Sequence, residues 1–171
     1  MALLLLLQSL YFFLPAYFAN MAPVLLRFLP LGIPVHERLF GPNKTWRGLI
    51  VAPLAGGLIF GLQKVLYSAG FTSLAIIDYA DFSVVLGFLL GAGAILGDLV
   101  KSYYKRKEGL KPGERWIPWD QLDFVIGGMV FSFFVYVPPV EVAFTLLIVS
   151  PFLHIAVNHL GYWLGVRESK W

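Results

Sequence analysis

The sequence predicts an all-α integral membrane protein: a bundle of five transmembrane helices with two basic cytoplasmic loops. Three observations lead there. The 171 residues are 58% apolar and 13% charged, with mean hydropathy +0.76, far from a soluble composition. Five stretches, 1–26, 48–63, 82–97, 124–140 and 142–166, contain no Asp, Glu, Lys or Arg. The basic residues fall in alternate connections, as the positive-inside rule requires. The length suits a single transmembrane domain over 1–171.

A spanning helix needs roughly 17–25 apolar residues. The first stretch is long enough. It has no basic segment before it and no small-residue cleavage site after it, so it is expected to be retained as a helix and not removed as a signal peptide. The second stretch reaches full length if Lys64 snorkels to the surface and residues up to about 70 join it. The third and fourth are short, so their flanking acids belong in the interface. The fifth spans outright. Gly57 and Gly61, Gly87 and Gly91, and Gly93 and Gly97 fall at the spacing that brings membrane helices close, with the third helix central. Gly127 and Gly128 offer a further close approach.

The 27–47 connection carries Arg27, Arg38, Lys44 and Arg47. The 98–123 connection carries Lys101, Lys105, Arg106, Lys107, Lys111 and Arg115, and the tail Arg167 and Lys170. The connections at 70–81 and 138–141 hold only Asp78, Asp81 and Glu141. The N-terminus is therefore expected outside, with both basic loops and the C-terminus in the cytoplasm. The sequence pI near 9.2 reflects this sidedness and does not imply a nucleic-acid partner. The chain has no cysteine, which excludes disulfides, thiolate nucleophiles and thiolate zinc sites.

The chemistry concentrates between 98 and 123. Asp98, Lys101, Ser102 and Lys105 share one helical face at i, i+3, i+4 and i+7. That column suits phosphate and metal binding. It also suits a plain helix end with an i,i+3 ion pair. Asp120 and Asp123 open the next helix on one face. Asp120 has a ready role as an N-terminal cap. Asp123 abuts an uncharged run, where an ionised carboxylate needs a cation. Asp98 and Asp123 together offer hard oxygens for Mg²⁺, which commonly takes one or two carboxylates plus substrate phosphates.

GPNKTWRG at 41–48 places Asn43, Lys44, Thr45 and Arg47 at a helix start, where donors gather for an anion. A basic flank with a Thr cap explains the same residues, and the spacing is not that of a P-loop. In the last helix, His154 and Asn158 are i and i+4, without the spacing of a zinc site. Interhelical hydrogen bonding accounts for His154, while Asn158 is placed to line a cavity.

An Asp ending one membrane helix, then Ser102, Lys105 and Arg106, then Asp120 and Asp123, resembles the CTP:phosphatidate cytidylyltransferases. Their second Lys-Asp after Arg106 is absent here. Ile117, Pro118 and Trp119 stand where they carry His-Gly-Gly, and Gln121 replaces the Arg between the acids. GPNKTWRG, GDLVKSYYKR, the proline before WDQLD, Asn158 and the terminal Gly165 and Trp171 are similar to the compact archaeal branch, the CDP-archaeol synthases. That resemblance implies transfer of CMP from CTP to 2,3-bis-O-(geranylgeranyl)-sn-glycerol 1-phosphate in ether phospholipid biosynthesis, with Mg²⁺ as cofactor and the lipid held in the bilayer. It implies metal ligation by Asp98, Asp120 and Asp123, with Lys101 and Lys105 catalytic beside them. Asn43, Lys44, Thr45, Arg47, Ser102, Arg106 and Asn158 would bind substrate. A transporter for an anionic phosphorylated solute is the competing class. It would place its polar groups at mid-membrane, whereas here they gather at one face.

Overall fold

The computed structural model describes residues 2–165. The basic tail residues Arg167 and Lys170, with Trp171, lie outside the described residues. Six helices follow in order: α1 Ala2–Leu25, α2 Glu37–Phe40, α3 Trp46–Ser68, α4 Val85–Lys107, α5 Trp119–Ser132 and α6 Val140–Trp163. Among the described residues the extended pairing is confined to one isolated bridge, Pro34 with Thr45. The all-helical membrane class is as expected.

The count of five spans is corrected. Among the described residues four helices, α1, α3, α4 and α6, are long and apolar enough to cross a membrane. The fourth apolar stretch, expected as a span over 124–140, forms only the 14-residue α5. At 1.5 Å per residue that is about 21 Å, short of the roughly 30 Å hydrocarbon core. The helix ends at Ser132, and Pro138 and Pro139 precede α6, where neither proline can supply a helical N–H.

The central helix is α4, which packs against α1, α3 and α5. Its glycines divide between two neighbours. Gly87 and Gly91 lie against Gly56 and Ala52 of α3, while Gly93 and Gly97 lie against Gly127 and Asp123 of α5. A Cβ added at Gly97 would fall 2.2 Å from the Asp123 carbonyl oxygen. Only glycine permits this approach, and it seats the start of α5 beside Asp98. Gly128 faces Phe13 and Ala16 of α1. Gly61 is different: a Cβ there would meet nothing nearer than Val84 Cγ1 at 3.9 Å, so it is not a close-packing glycine.

The core is built from Phe12, Phe13 and Ala16 of α1, Phe60 of α3, Leu86 and Leu90 of α4, Phe124 and Val125 of α5, and Leu146 of α6. Tyr17 bonds Ser150 at 2.6 Å, tying α1 to α6. At the end remote from the acids, Lys64 donates to the carbonyls of Tyr79, Ala80 and Phe82. It clamps the α3–α4 connection where simple snorkelling was expected.

Candidate functional site

The C-terminal ends of α1 and α4, the N-terminal ends of α3 and α5, and the second half of α6 converge on one cavity of about 350 Å³. That volume lies in the range of small-molecule sites. Its lining combines the charged Lys44, Asp98, Lys101, Lys105, Asp120 and Asp123 with the apolar Pro23, Val24, Leu49, Ile95 and Ile155.

The helical column predicted on α4 does converge with the paired acids of α5. Lys101 Nζ stands 2.9 Å from Asp98 Oδ1, 3.3 Å from Asp120 Oδ1 and 2.7 Å from Asp123 Oδ2. Lys44, arriving from the loop before α3, bonds the other oxygen of Asp98. Lys105 holds both oxygens of Asp120, at 2.9 and 3.1 Å, and also reaches the Glu114 carbonyl. Three carboxylates and three ammonium groups thus form one connected ladder. Its members are mostly enclosed: Asp123 is 9% and Lys105 8% exposed. Unpaired acids at this depth would be costly, and the lysines offset that cost.

Local bonds fix the ladder. Trp116 N–H donates to Asp120 Oδ2 and Phe124 N–H donates to Asp123 Oδ1 at 2.6 Å. Ser102 Oγ donates to the Asp98 carbonyl at 2.8 Å, so its hydroxyl is engaged along its own helix. Thr45 caps α3, accepting from Gly48 N–H at 3.4 Å, and lines the cavity with Asn43. Asn158 is 4% exposed and also lines it, 3.5 Å from His154 Nε2.

Two expected substrate-binding residues stand elsewhere. Arg47 donates to the carbonyls of Arg27 and Leu29 at 2.7 and 2.8 Å and does not line the cavity. Its guanidinium holds the backbone at residues 27 and 29, at the start of the connection that leads on to Asn43 and Lys44. Arg106 lines a neighbouring recess of about 110 Å³ with Gly41, Pro42, Ser102 and Lys105. Its Nε is buried without a protein hydrogen-bond partner.

Sequence reasoning missed Asn20, Gln121 and His154 as cavity residues. Asn20 was legible as one of two amides, with Gln8, in an otherwise charge-free apolar run. Gln121, 6% exposed, carried no such signal, because it sits inside a polar segment.

The donor chemistry fits a hard divalent cation, since three carboxylates from two helices already surround one positive charge. The arrangement is not yet metal geometry. Among the described residues no group of three or more His, Cys, Asp or Glu is disposed to hold a metal ion. Magnesium requires oxygens at 2.0–2.1 Å, and the acids here stand apart around the Lys101 ammonium.

Residues 2–171 match the family model for CarS-like proteins, CDP-archaeol synthase. The CDP-archaeol synthase of Pyrococcus furiosus is 33% identical, covering 96% of this chain and 98% of that protein. The one from Thermococcus kodakarensis is 37% identical over 94% of each. The one from Methanocaldococcus jannaschii is 35% identical over 98% of each. A solved structure described as an intramembrane enzyme for archaeal membrane lipid biosynthesis superposes with a TM-score of 0.69. It is 28% identical and covers 88% of this chain and 92% of that one. With a family match over almost its whole length and relatives this similar, the chain belongs to the CDP-archaeol synthase family.

Proposed function

We propose that this protein transfers CMP from CTP to 2,3-bis-O-(geranylgeranyl)-sn-glycerol 1-phosphate, giving a CDP-archaeol-type lipid and pyrophosphate. The observation that carries this reading is the lysine–carboxylate ladder facing a cavity lined by both charged and apolar side chains. A triphosphate suits the charged groups. An isoprenoid glycerol phosphate suits the apolar ones, reached from the bilayer with its phosphate turned to the ladder. The distribution of Lys and Arg supports a cytoplasmic site, where CTP is available.

The lipid phosphate is an anion near neutral pH and needs no strong base. Its oxygen bonds to the α-phosphorus of CTP as the bond from that phosphorus to the pyrophosphate oxygen breaks. Positioning and charge neutralisation dominate such transfers. Lys44, Lys101 and Lys105 hold phosphate oxygens from the cavity wall. Arg106 and Ser102 bound the adjoining recess, which is open to the departing end of the triphosphate. Asn43 and Thr45 donate at the start of α3, and Asn158 bounds the cavity from α6. Asp98, Asp123 and Asp120 would hold magnesium. When bound, it supplies positive charge to the triphosphate and to the leaving pyrophosphate.

The test is pyrophosphate release by purified, detergent-solubilised protein given CTP and Mg²⁺, with and without the geranylgeranylated lipid phosphate, and with EDTA. Release that depends on both lipid and metal is expected. No release from folded protein with any lipid phosphate would overturn the reading.

A further inference from the structure

We propose that Lys101 is the resident cation of the carboxylate site, excluding divalent metal until a polyphosphate draws the lysine away. The inference rests on the cytidylyltransferase reading and concerns how the same site is loaded.

The geometry is specific to this residue. Lys101 alone contacts all three acids, at 2.7–3.3 Å. Of these three acids, Lys44 contacts Asp98 and Lys105 contacts Asp120. The oxygens bound by Lys101 are Asp98 Oδ1, Asp120 Oδ1 and Asp123 Oδ2. Of their partner oxygens, that of Asp98 is taken by Lys44, that of Asp120 by Lys105 and the Trp116 N–H, and that of Asp123 by the Phe124 N–H. A metal therefore has to use the oxygens that Lys101 holds. With three acids and three ammonium groups the ladder is formally neutral, so nothing in it attracts a further dication. An incoming triphosphate reverses this. It offers the lysines new anionic partners, and the flexible four-carbon stem lets the Lys101 ammonium swing toward them. The carboxylate oxygens are then exposed to metal. Nucleotide and metal binding are coupled, and by linkage each raises affinity for the other by the same factor, commonly 5–150-fold.

The experiment measures Mn²⁺ binding to the full-length detergent-solubilised protein without nucleotide, by electron paramagnetic resonance of the unbound ion. Wild type, Lys101→Met and Lys101→Arg are compared, with Lys105→Met as a contrast. Lys101→Met is expected to bind Mn²⁺ at least about tenfold more tightly than wild type, within the usual coupling range. Lys101→Arg keeps the charge and should stay close to wild type. Lys105→Met should gain less, because Lys105 does not touch Asp98 or Asp123. A lysine that only contacts phosphate, or only cements the fold, predicts unchanged or weaker Mn²⁺ binding in Lys101→Met, and that result overturns the proposal. Should Lys101→Met fail to fold, Lys101→Gln carries the same expectation. Pyrophosphate release insensitive to EDTA would remove the metal assignment and this inference with it. Metal-dependent release with unchanged Mn²⁺ affinity in the variants would remove this inference alone.

Discussion

Replacing Gly97 with alanine adds a single methyl group on the residue immediately before Asp98, and the structure sets what it should do. The new Cβ would lie 2.2 Å from the Asp123 carbonyl oxygen, 3.0 Å from its carbon and 3.2 Å from Gly127 Cα. Those neighbours are backbone and cannot rotate aside. Ordinary contact begins near 3.4 Å, so α4 and α5 must part by about 1.2 Å at this level. That displacement falls on the helix pair that brings Asp98 and Asp123 to the same ammonium, where the bonds are 2.9 and 2.7 Å. Misplacement of about 1 Å costs on the order of 10²-fold in rate where reaction depends on alignment. Overpacking of this kind also costs about 1–3 kcal/mol of stability. The assay is lipid-dependent pyrophosphate release, with thermal unfolding in detergent alongside. Gly61→Ala is the matched control, because its Cβ meets nothing closer than 3.9 Å, and it should keep wild-type turnover. Gly97→Ala with turnover within about threefold of Gly61→Ala would refute the claim that this glycine sets the spacing of the two acids, being far short of the loss expected from misalignment.

Asp123→Asn should lower turnover by about 10²–10³, the usual cost of losing a preorganised charge-stabilising group. Retention of more than about a tenth of activity would remove Asp123 from the metal site. Lys44→Ala and Arg47→Ala should separate in kind: the first lowers turnover directly, while the second acts by loosening the 27–31 backbone. Limited proteolysis near residues 27–47 should therefore increase in Arg47→Ala and not in Lys44→Ala. Lys64→Met removes three bonds to carbonyls on the far side of the protein. It should lower thermal stability, by roughly 1–3 kcal/mol for the part-buried acceptors of Tyr79 and Phe82 left unmatched, and leave turnover unchanged.

Much of the site was legible because its parts obey local periodicity. Asp98, Lys101 and Lys105 share a face by helical spacing alone, and Asp120 and Asp123 do the same one helix later. Their meeting was legible only in outline, through the glycines that allow α4 and α5 to touch. The length of α5 was misread because an absence of charge marks apolar residues and not helix. The stop at Ser132 is not something that a count of charges registers. Arg47 was misread for a related reason. Its position in a basic loop suggested a phosphate ligand, but the partners it found are main-chain carbonyls twenty and eighteen residues upstream. Contacts of that kind depend on the path of a loop, which no residue spacing encodes.

The same limit explains why the acids were assigned to a metal while the lysine among them was assigned to phosphate. Residue types gave each group its natural ligand, as though the ligands were present. In the fold the two sets pair chiefly with each other, and at this burial neither acids nor lysines can remain unpaired at tolerable cost. Mutual neutralisation thus holds the site together. It also sets the cost of loading it, since every phosphate or metal contact must displace an ion pair that already exists. A site assembled in this way gains little from metal or nucleotide singly and more from both together, and that difference is what Mn²⁺ titration of the Lys101 variants would register.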